Sequence, residues 1–322
     1  MIEPSHILKN WNITGKIEDI SHTGYSGSQI FKITAEDSEY ILKGYPSKLS
    51  IGNIYKTHEI LRTAREHNFN LLPNFVRTLN GDSVVREDNT LWDLVTFLSG
   101  SHMLNNPQTS ILVNLTKEVA HFHLATNQVL IDDEIRHGNP ISLRKIQEIF
   151  EWWQIIKKAD NQKLSDAGVL DVVEEFIEFA TLYFEKSMKR FDWDDSFKKL
   201  PRCIVHSDIT KRNVLFDNDV VSGVIDLESV RYNSRLLDIA RLAMEFANGN
   251  KESMKIILEA YDSVSALTQH EKENAMLYVG VLNLTVTLWS IKNYISTHFQ
   301  NYTNHSDFAS KIQQGINIYK VL

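Results

Sequence analysis

The sequence predicts an α+β protein of two lobes, a small β-rich lobe over residues 1–98 and a large helical lobe over residues 99–322. Two observations lead to this prediction. Short apolar segments separated by turn residues dominate the first part, which is typical of strands. After Ser99 and Gly100 the apolar residues instead recur near a period of 3.6, which indicates helices with one buried face.

The elements of the small lobe follow from its turns and its periodicity. A short helix is predicted at the start of the chain. Three strands follow, separated by a loop rich in glycine and serine and by a turn at Glu36–Ser38. Apolar residues at helical spacing then predict a longer helix, and two or three strands complete the lobe. The predicted helices span 4–11 and 50–67, and the predicted strands span 16–21, 29–35, 39–44, 72–79, 83–86 and 91–98.

The large lobe is predicted to be helical apart from one segment near its middle. The predicted helices span 107–126, 143–158, 166–190, 234–247, 251–264, 269–296 and the stretch from 307 onward. Asn274–Ile291 carries no charge over 18 residues, close to the lower limit for a membrane span. Because this stretch contains several polar side chains and has no second counterpart, we expect a buried core helix and no membrane partner.

The segment Cys203–Glu228 contains the residues on which the functional prediction depends. It is predicted to contain an apolar strand, a polar loop from His206 to Asn213 and two short strands that end at Asp226, 13 positions after Asn213. Phosphoryl transfer needs a carboxylate that orients the attacking hydroxyl, and oxygen ligands for Mg²⁺, which prefers carboxylate and amide oxygens. Asp208 suits the first role, and Asn213 and Asp226 suit the second.

The motif H-x-D-x-x-x-x-N, followed by I-D-x-E and then D-I-A, resembles that of the aminoglycoside phosphotransferase and choline kinase family. In this chain it comprises His206, Asp208, Asn213, Asp226, Glu228 and Asp238–Ala240. The resemblance implies a small-molecule kinase with a protein-kinase-like fold, in which residues 1–98 bind the nucleotide and 99–322 form the catalytic and substrate-binding lobe. It also implies that His206 and Asp238 are structural. Glu228 stays open between a contact with metal or substrate and a role in fixing the loop.

Residues of the small lobe suit a nucleotide site in the context of this order of elements. The loop between the first two strands offers Gly24, Ser26 and Gly27, whose main-chain and hydroxyl groups can approach phosphate closely. Lys43 lies on a strand among apolar neighbours, where it can reach the α and β phosphates. Glu59, on the helix 16 residues later, is predicted to be its counter-ion.

The resemblance further implies where the nucleotide base is held. In this family, main-chain groups at the end of the last strand of the small lobe bind the base, with apolar side chains above and below the ring. The corresponding residues are Thr96, Phe97 and Leu98. Main-chain contacts leave no side-chain signature, so this placement is by analogy.

The composition excludes several other classes of protein. A net charge of −7 and a pI near 6.0 argue against a nucleic-acid-binding surface and would suit a cationic substrate. Cys203 is the only cysteine, so we expect neither an intrachain disulfide nor a cysteine-rich zinc site. The N-terminus lacks a basic region followed by an apolar run, which predicts a cytoplasmic location.

The combined prediction is transfer of the γ-phosphoryl group of ATP or GTP to a hydroxyl of a small molecule, with Mg²⁺. Asp238 follows Asp226 by only 12 positions, too few for the activation segment of a protein kinase, so a metabolite or antibiotic is the expected acceptor. An aminoglycoside-type amino sugar, choline or ethanolamine, and homoserine all stay open. A catalytically weak, nucleotide-binding regulatory protein is the alternative of another class.

Overall fold

The structure is a computed structural model that describes residues 3–21, 28–45, 50–103, 107–127, 129, 148, 151, 154, 161–190, 199–296 and 305–322. The chain divides into two units. The first unit contains residues 1–103, 124–130 and 212–230, and the second contains 104–123, 131–211 and 231–322. Much of the first unit is a β-sheet and most of the second is helical, which confirms the predicted α+β class.

The first unit is built on a five-stranded antiparallel sheet with the order β1–β2–β3–β5–β4. Its strands are β1 (Lys16–Asp19), β2 (Gln29–Thr34), β3 (Glu39–Tyr45), β4 (Val85–Glu87) and β5 (Thr90–Thr96). Its helices are α1 (Pro4–Leu8), which continues into a 3₁₀ turn (Lys9–Trp11), and α2 (Ile51–Glu66). Alternate strand residues such as Phe31, Ile33, Leu42 and Trp92 pack with α1 in a buried core, as period-2 side-chain alternation requires.

The segment 72–79 differs from its sequence prediction, because it makes one isolated bridge to β5, between Phe75 and Val95, rather than a strand. Pro73 has no main-chain N–H to donate to a ladder. Further on, the N–H of Thr78 donates to the carbonyl of Asp82, which turns the chain away from β5. This part of the chain therefore has two strands, the smaller of the two numbers that the sequence predicts, and 72–79 is not one of them.

The segment that carries much of the predicted motif forms a hairpin in the first unit. Strands β7 (Val214–Asp217) and β8 (Val220–Val224) pair antiparallel, with a register shift between Leu215 and Phe216. Asn218 and Asp219 form the turn with positive φ angles, a conformation that Asn and Asp adopt more readily than other non-glycine residues. A 3₁₀ turn, Leu227–Ser229, follows β8.

The second unit contains the remaining elements. Its two-stranded sheet pairs β6 (Arg202–Val205) with β9 (Arg231–Ser234). Its helices are α3 (Thr109–Thr126, whose last turn belongs to the first unit), α4 (Asn161–Asp166), α5 (Leu170–Arg190), α6 (Leu236–Ala247), α7 (Lys251–Asp262), α8 (Gln269–Ser296) and α9 (His305–Val321). The helix predicted over 166–190 is interrupted at Gly168, whose φ of 66° lies outside the helical region. The helix predicted over 143–158 lies largely outside the described residues.

Helix α8 is long and apolar enough to cross a membrane, with a mean hydropathy of 1.3 over its most apolar 18-residue stretch. However, 78% of its most apolar stretch is buried inside the protein. Its residues Leu284, Leu288 and Ile291 pack with α5 and α9 in a buried core of the second unit. This burial favours the core helix that the sequence predicts.

Candidate active site

Lys43 on β3 is the centre of a charged cluster in the first unit. Its Nζ lies 2.6 Å from Oε1 of Glu228 and 3.3 Å from Oδ1 of Asp226. Asp226 is 183 residues further along the chain, so only folding brings these groups together. Burial alone would lower the pKa of Lys43, but the carboxylates of Asp226 and Glu228 outweigh it and raise that pKa. Lys43 is therefore held as a cation.

The structure corrects the prediction that Glu59 is the counter-ion of Lys43, because Glu59 pairs with a residue of its own helix. The carboxylate of Glu59 lies 3.7 Å from the guanidinium of Arg62, and both side chains are about half exposed. The preceding residue, His58, is buried, at 3% exposure. Consecutive helical residues point about 100° apart, so Glu59 can face solvent although His58 faces the core. Glu228 and Asp226, rather than Glu59, are the counter-ions of Lys43 in this structure.

Asn213 and Asp226 lie at the two ends of the β7–β8 hairpin. The N–H of Ile225 donates to the main-chain carbonyl of Asn213 at 2.9 Å, which holds the two ends side by side. Asp226 adopts the left-handed conformation, with φ 62° and ψ 66°. Non-glycine residues in that region carry strain, which is concentrated at functional sites. Asn213 is buried, whereas the Asp226 side chain is 43% exposed and so is accessible to a ligand.

The donor set at this hairpin fits a Mg²⁺ ion that also binds phosphate. One amide oxygen and one carboxylate are hard oxygen ligands of the type that Mg²⁺ uses beside substrate phosphates and water. No group of three or more His, Cys, Asp or Glu side chains within the described residues is arranged to hold a metal. Asn213 and Asp226 would thus form an incomplete set that phosphate oxygens would complete.

A buried polar network adjoins Lys43 on the same face of the sheet. Oδ2 of Asp93 accepts hydrogen bonds from the Tyr45 hydroxyl and from Nε2 of His58, both at 2.8 Å. Nδ1 of His58 lies 2.8 Å from the hydroxyl of Ser83. Burial, and then the adjacent carboxylate of Asp93, raise the pKa of Tyr45 well above its usual value. The Tyr45 hydroxyl therefore stays protonated and acts as the donor.

Asp208 in the second unit is bound by an arginine that the sequence analysis missed. Nη2 of Arg241 donates to Oδ1 of Asp208 at 2.8 Å, and Nη1 lies 3.6 Å from Glu245. Arg241 is only 9% exposed, whereas the Asp208 side chain is 35% exposed. A charge-assisted hydrogen bond from a buried guanidinium is short and directional, so it orients the carboxylate. Arg241 thus fixes one oxygen of Asp208, while part of the side chain is exposed and accessible to a ligand.

Asp238, at the start of α6, supports the loop that precedes Asp208. Its Oδ2 accepts from the N–H of His206 at 2.7 Å and from Nε2 of His123 at 3.0 Å, and its Oδ1 accepts from the N–H of Ser207 at 2.8 Å. Burial would raise the pKa of Asp238, but the bond from His123 and the other donors lower it. The buried His206 ring in turn accepts from the N–H of Asp208 at 3.3 Å. These bonds fix the loop by its backbone.

The other predicted nucleotide contacts divide into two groups. Gly24, Ser26 and Gly27 lie outside the described residues. The N–H of Thr96 donates to the carbonyl of Asn74, and the N–H of Phe97 donates to that of Glu39. A bound base would therefore have to use other groups of this stretch, among them the main chain around Leu98.

Comparison with known proteins identifies the family. A family model described as "Phosphotransferase enzyme family" matches residues 17–270 of the 322. The chain belongs to this family. A homoserine kinase of Methylocella silvestris is 28% identical over 196 residues, which cover 61% of this chain and 54% of that protein. The chain thus matches about half of the length of that curated relative.

Solved structures of phosphotransferases share the fold of this family member. An aminoglycoside phosphotransferase of Alicyclobacillus acidocaldarius superposes with a TM-score of 0.62 at 17% identity, covering 98% of this chain and 97% of that one. A spectinomycin phosphotransferase in complex with ADP and spectinomycin gives 0.67 at 11% identity, covering 98% and 95%. Identities this low establish a common fold. The family model, which matches residues 17–270, confirms the family resemblance that the motif indicates.

Sequence reasoning missed three residues of this site, although two of them left a signal. Arg241 follows Asp238 by three positions on a predicted helix, so the two share a face. Asp93 interrupts the apolar run of a predicted strand, and a buried acid needs partners. His123 left no signal, and only the folded chain shows its bond to Asp238.

Replacing Glu228 by glutamine is expected to lower kcat/KM for ATP about tenfold, because Lys43 loses its shortest ion pair and keeps only the longer one to Asp226. Steady-state kinetics with varied ATP measures the change. Glu59→Gln is the comparison variant and should stay within about twofold of the wild type. The reverse result, with Glu59→Gln the more damaging, would restore the pairing that the sequence predicts.

Proposed function

We propose that this phosphotransferase family member is an enzyme that transfers the γ-phosphoryl group of ATP to a hydroxyl of a small molecule. The cluster of Lys43 with Asp226 and Glu228 carries this proposal. A buried lysine held as a cation beside two acids, one of them at the end of a metal-binding hairpin, suits the phosphates of a nucleotide and their metal ion. The cytoplasm, where ATP is abundant, is the compartment that fits this activity and the single buried cysteine.

Each charged group receives a role in this proposal. Lys43 binds the α and β phosphates, and Asp208 accepts a hydrogen bond from the acceptor hydroxyl and orients it for attack. Arg241 holds the Asp208 carboxylate in place, since its Nη2 donates to one carboxylate oxygen. Asn213 and Asp226 would hold Mg²⁺, which when bound neutralises charge on the phosphates.

The charged residues of the second unit near Asp208 narrow the choice among the possible acceptor molecules. Arg241 pairs with both Asp208 and Glu245, and the charge of Glu245 also acts on Lys211. Burial lowers the pKa of Lys211, and Glu245 offsets part of that effect. A polycationic aminoglycoside would favour an excess of acids, whereas this mixture suits a molecule with both an ammonium and a carboxylate group. An amino-acid alcohol is therefore the favoured acceptor, in keeping with the relative named homoserine kinase.

The experiment that tests this function is an acceptor screen read out as ADP release. The purified protein is incubated with Mg²⁺ and either ATP or GTP, and with homoserine, ethanolamine, choline or an aminoglycoside. We expect release that depends on ATP and is stimulated most by the amino-acid alcohol. Stimulation by an aminoglycoside alone would overturn the choice of acceptor and leave the reaction class in place.

The regulatory alternative predicts a different outcome of the same screen. A catalytically weak binding protein would retain ATP, measured by equilibrium dialysis, and release no ADP with any acceptor. The ion pairs of Lys43 and of Asp208 support the catalytic interpretation, because nucleotide binding alone requires the lysine but not an oriented carboxylate at Asp208. Binding without turnover would overturn the proposed function.

A further inference from the structure

Asp93 places a buried charge in the middle of an apolar strand. Its side chain is 3% exposed, and its neighbours Trp92 and Leu94 are buried and apolar. Burying a carboxylate is unfavourable unless hydrogen bonds and opposite charge compensate it. Oδ2 has two donors, Tyr45 and His58, but Oδ1 is buried with no hydrogen-bond partner within the described part of the chain. The protein thus retains a carboxylate oxygen that its own hydrogen bonds leave unsatisfied.

The sheet register directs this carboxylate toward Lys43. Asp93 on β5 lies directly opposite Lys43 on β3. Side chains of directly opposed residues lie on the same face, with Cβ atoms about 5 Å apart. Both residues line a cavity of about 80 Å³ in the first unit, together with Tyr45 and His58. The charge of Asp93 also contributes to the raised pKa of Lys43.

The two ion-pair partners of Lys43 are less fixed than Asp93. The side chains of Asp226 and Glu228 are 43% and 23% exposed, and both lie after β8 rather than on the sheet. Asp226 is also the proposed metal ligand, so its carboxylate cannot serve Lys43 alone. Asp93 is instead held on the rigid sheet by donors from β3 and from α2. Of these three acids, Asp93 is therefore the one with a fixed position beside Lys43.

We propose that Asp93 is the positioning residue of Lys43, a buried carboxylate that His58 and Tyr45 hold in place so that the lysine points at the nucleotide phosphates. The helix α2 then contributes to the site through His58, which fixes the acid, instead of contributing an acid itself. This inference rests on the proposed function, because it assigns Asp93 to the same phosphate-binding lysine.

A double-mutant cycle between Asp93 and Lys43 tests the inference. Asp93→Asn keeps one oxygen that can accept from Tyr45 and His58, so the network is retained while the charge is lost. We expect kcat to fall about tenfold and KM for ATP to change less than about twofold. The reason is that a misdirected Lys43 loses its interaction with the phosphates mainly in the transition state. In a Lys43→Gln background, Asp93→Asn should cause no further loss, since residues that act through one another are not additive.

The control is Asp37→Asn, the same chemical change at an exposed residue in the turn after β2, which should leave both constants unchanged. The inference is overturned if the loss of kcat in the double variant equals the product of the losses in the two single variants. It is also overturned if Asp93→Asn raises KM and leaves kcat intact. If Asp93→Asn does not fold, Tyr45→Phe, which releases one of the two donors, replaces it in the cycle with an expected loss of about threefold.

The same cycle separates this inference from the proposed function. A wild-type protein that releases no ADP with any acceptor overturns the proposed function and this inference with it. A wild-type protein that turns over, combined with losses that multiply, overturns the role of Asp93 alone.

Discussion

Replacing Asp208 by asparagine is expected to lower kcat about a thousandfold, within the range that loss of a proton-accepting group causes. The side chain keeps its shape, and its amide oxygen can still accept from Nη2 of Arg241, now 2.8 Å from Oδ1. The loop should therefore keep its position, which Asp238 fixes through the N–H groups of His206 and Ser207. What disappears is the negative charge that orients the acceptor hydroxyl. Steady-state ADP release with a saturating acceptor measures the effect.

The control for this variant is Asp171→Asn, at an exposed residue in the first turn of α5, which should retain full activity. Nucleotide affinity of Asp208→Asn should stay within about threefold of the wild type, because Asp208 is assigned to the acceptor and not to ATP. A variant that keeps more than a tenth of the wild-type kcat would remove Asp208 from the reaction. The acceptor-orienting group would then have to be another acid of the second unit.

The sequence was most informative where chemistry depends on a fixed spacing along one short segment. Asp208, Asn213 and Asp226 could be singled out because a hairpin with a tight turn returns the chain within 13 residues. The left-handed conformation of Asp226 left no such signal, since only a minority of aspartates adopt it and the residue type does not show which. The positions of these three residues along the chain were predictable, whereas the strained backbone of Asp226 was not.

Pairing between distant elements was less predictable, and Lys43 illustrates the reason. Its strand could be recognised from apolar neighbours, but its partner depended on which way an α2 side chain points. A shift of one residue rotates a helical side chain by about 100°, and this separates the exposed Glu59 from the buried His58. The position of Asp93 opposite Lys43 depended on sheet register, which the turns of a single sequence do not fix over 50 residues.

The helical unit shows the same division between local and distant information. The start of α8 at Gln269 and its end at Ser296 match the predicted helix, because a long periodic stretch defines itself locally. The interruption at Gly168 was missed, since an isolated glycine inside an apolar pattern is tolerated in many helices. Similarly, the bond between Arg241 and Asp208 joins residues 33 positions apart and follows from the packing of α6 against the loop.

Replacing Asp226 by asparagine is expected to lower kcat about a hundredfold or more and to raise the Mg²⁺ concentration needed for half-maximal activity. A carboxamide is a weaker ligand for a hard cation than a carboxylate, and Lys43 loses one of its two acidic partners as well. Asp219→Asn is a closely matched control, because Asp219 belongs to the same hairpin and has a φ of 66° against 62° for Asp226. Both asparagines should be tolerated in the left-handed region, so a difference between the two variants reports the carboxylate and not the backbone. If the two variants have equal activity and equal Mg²⁺ dependence, the metal lies elsewhere, and the acidic partners of Lys43 serve only to hold the lysine.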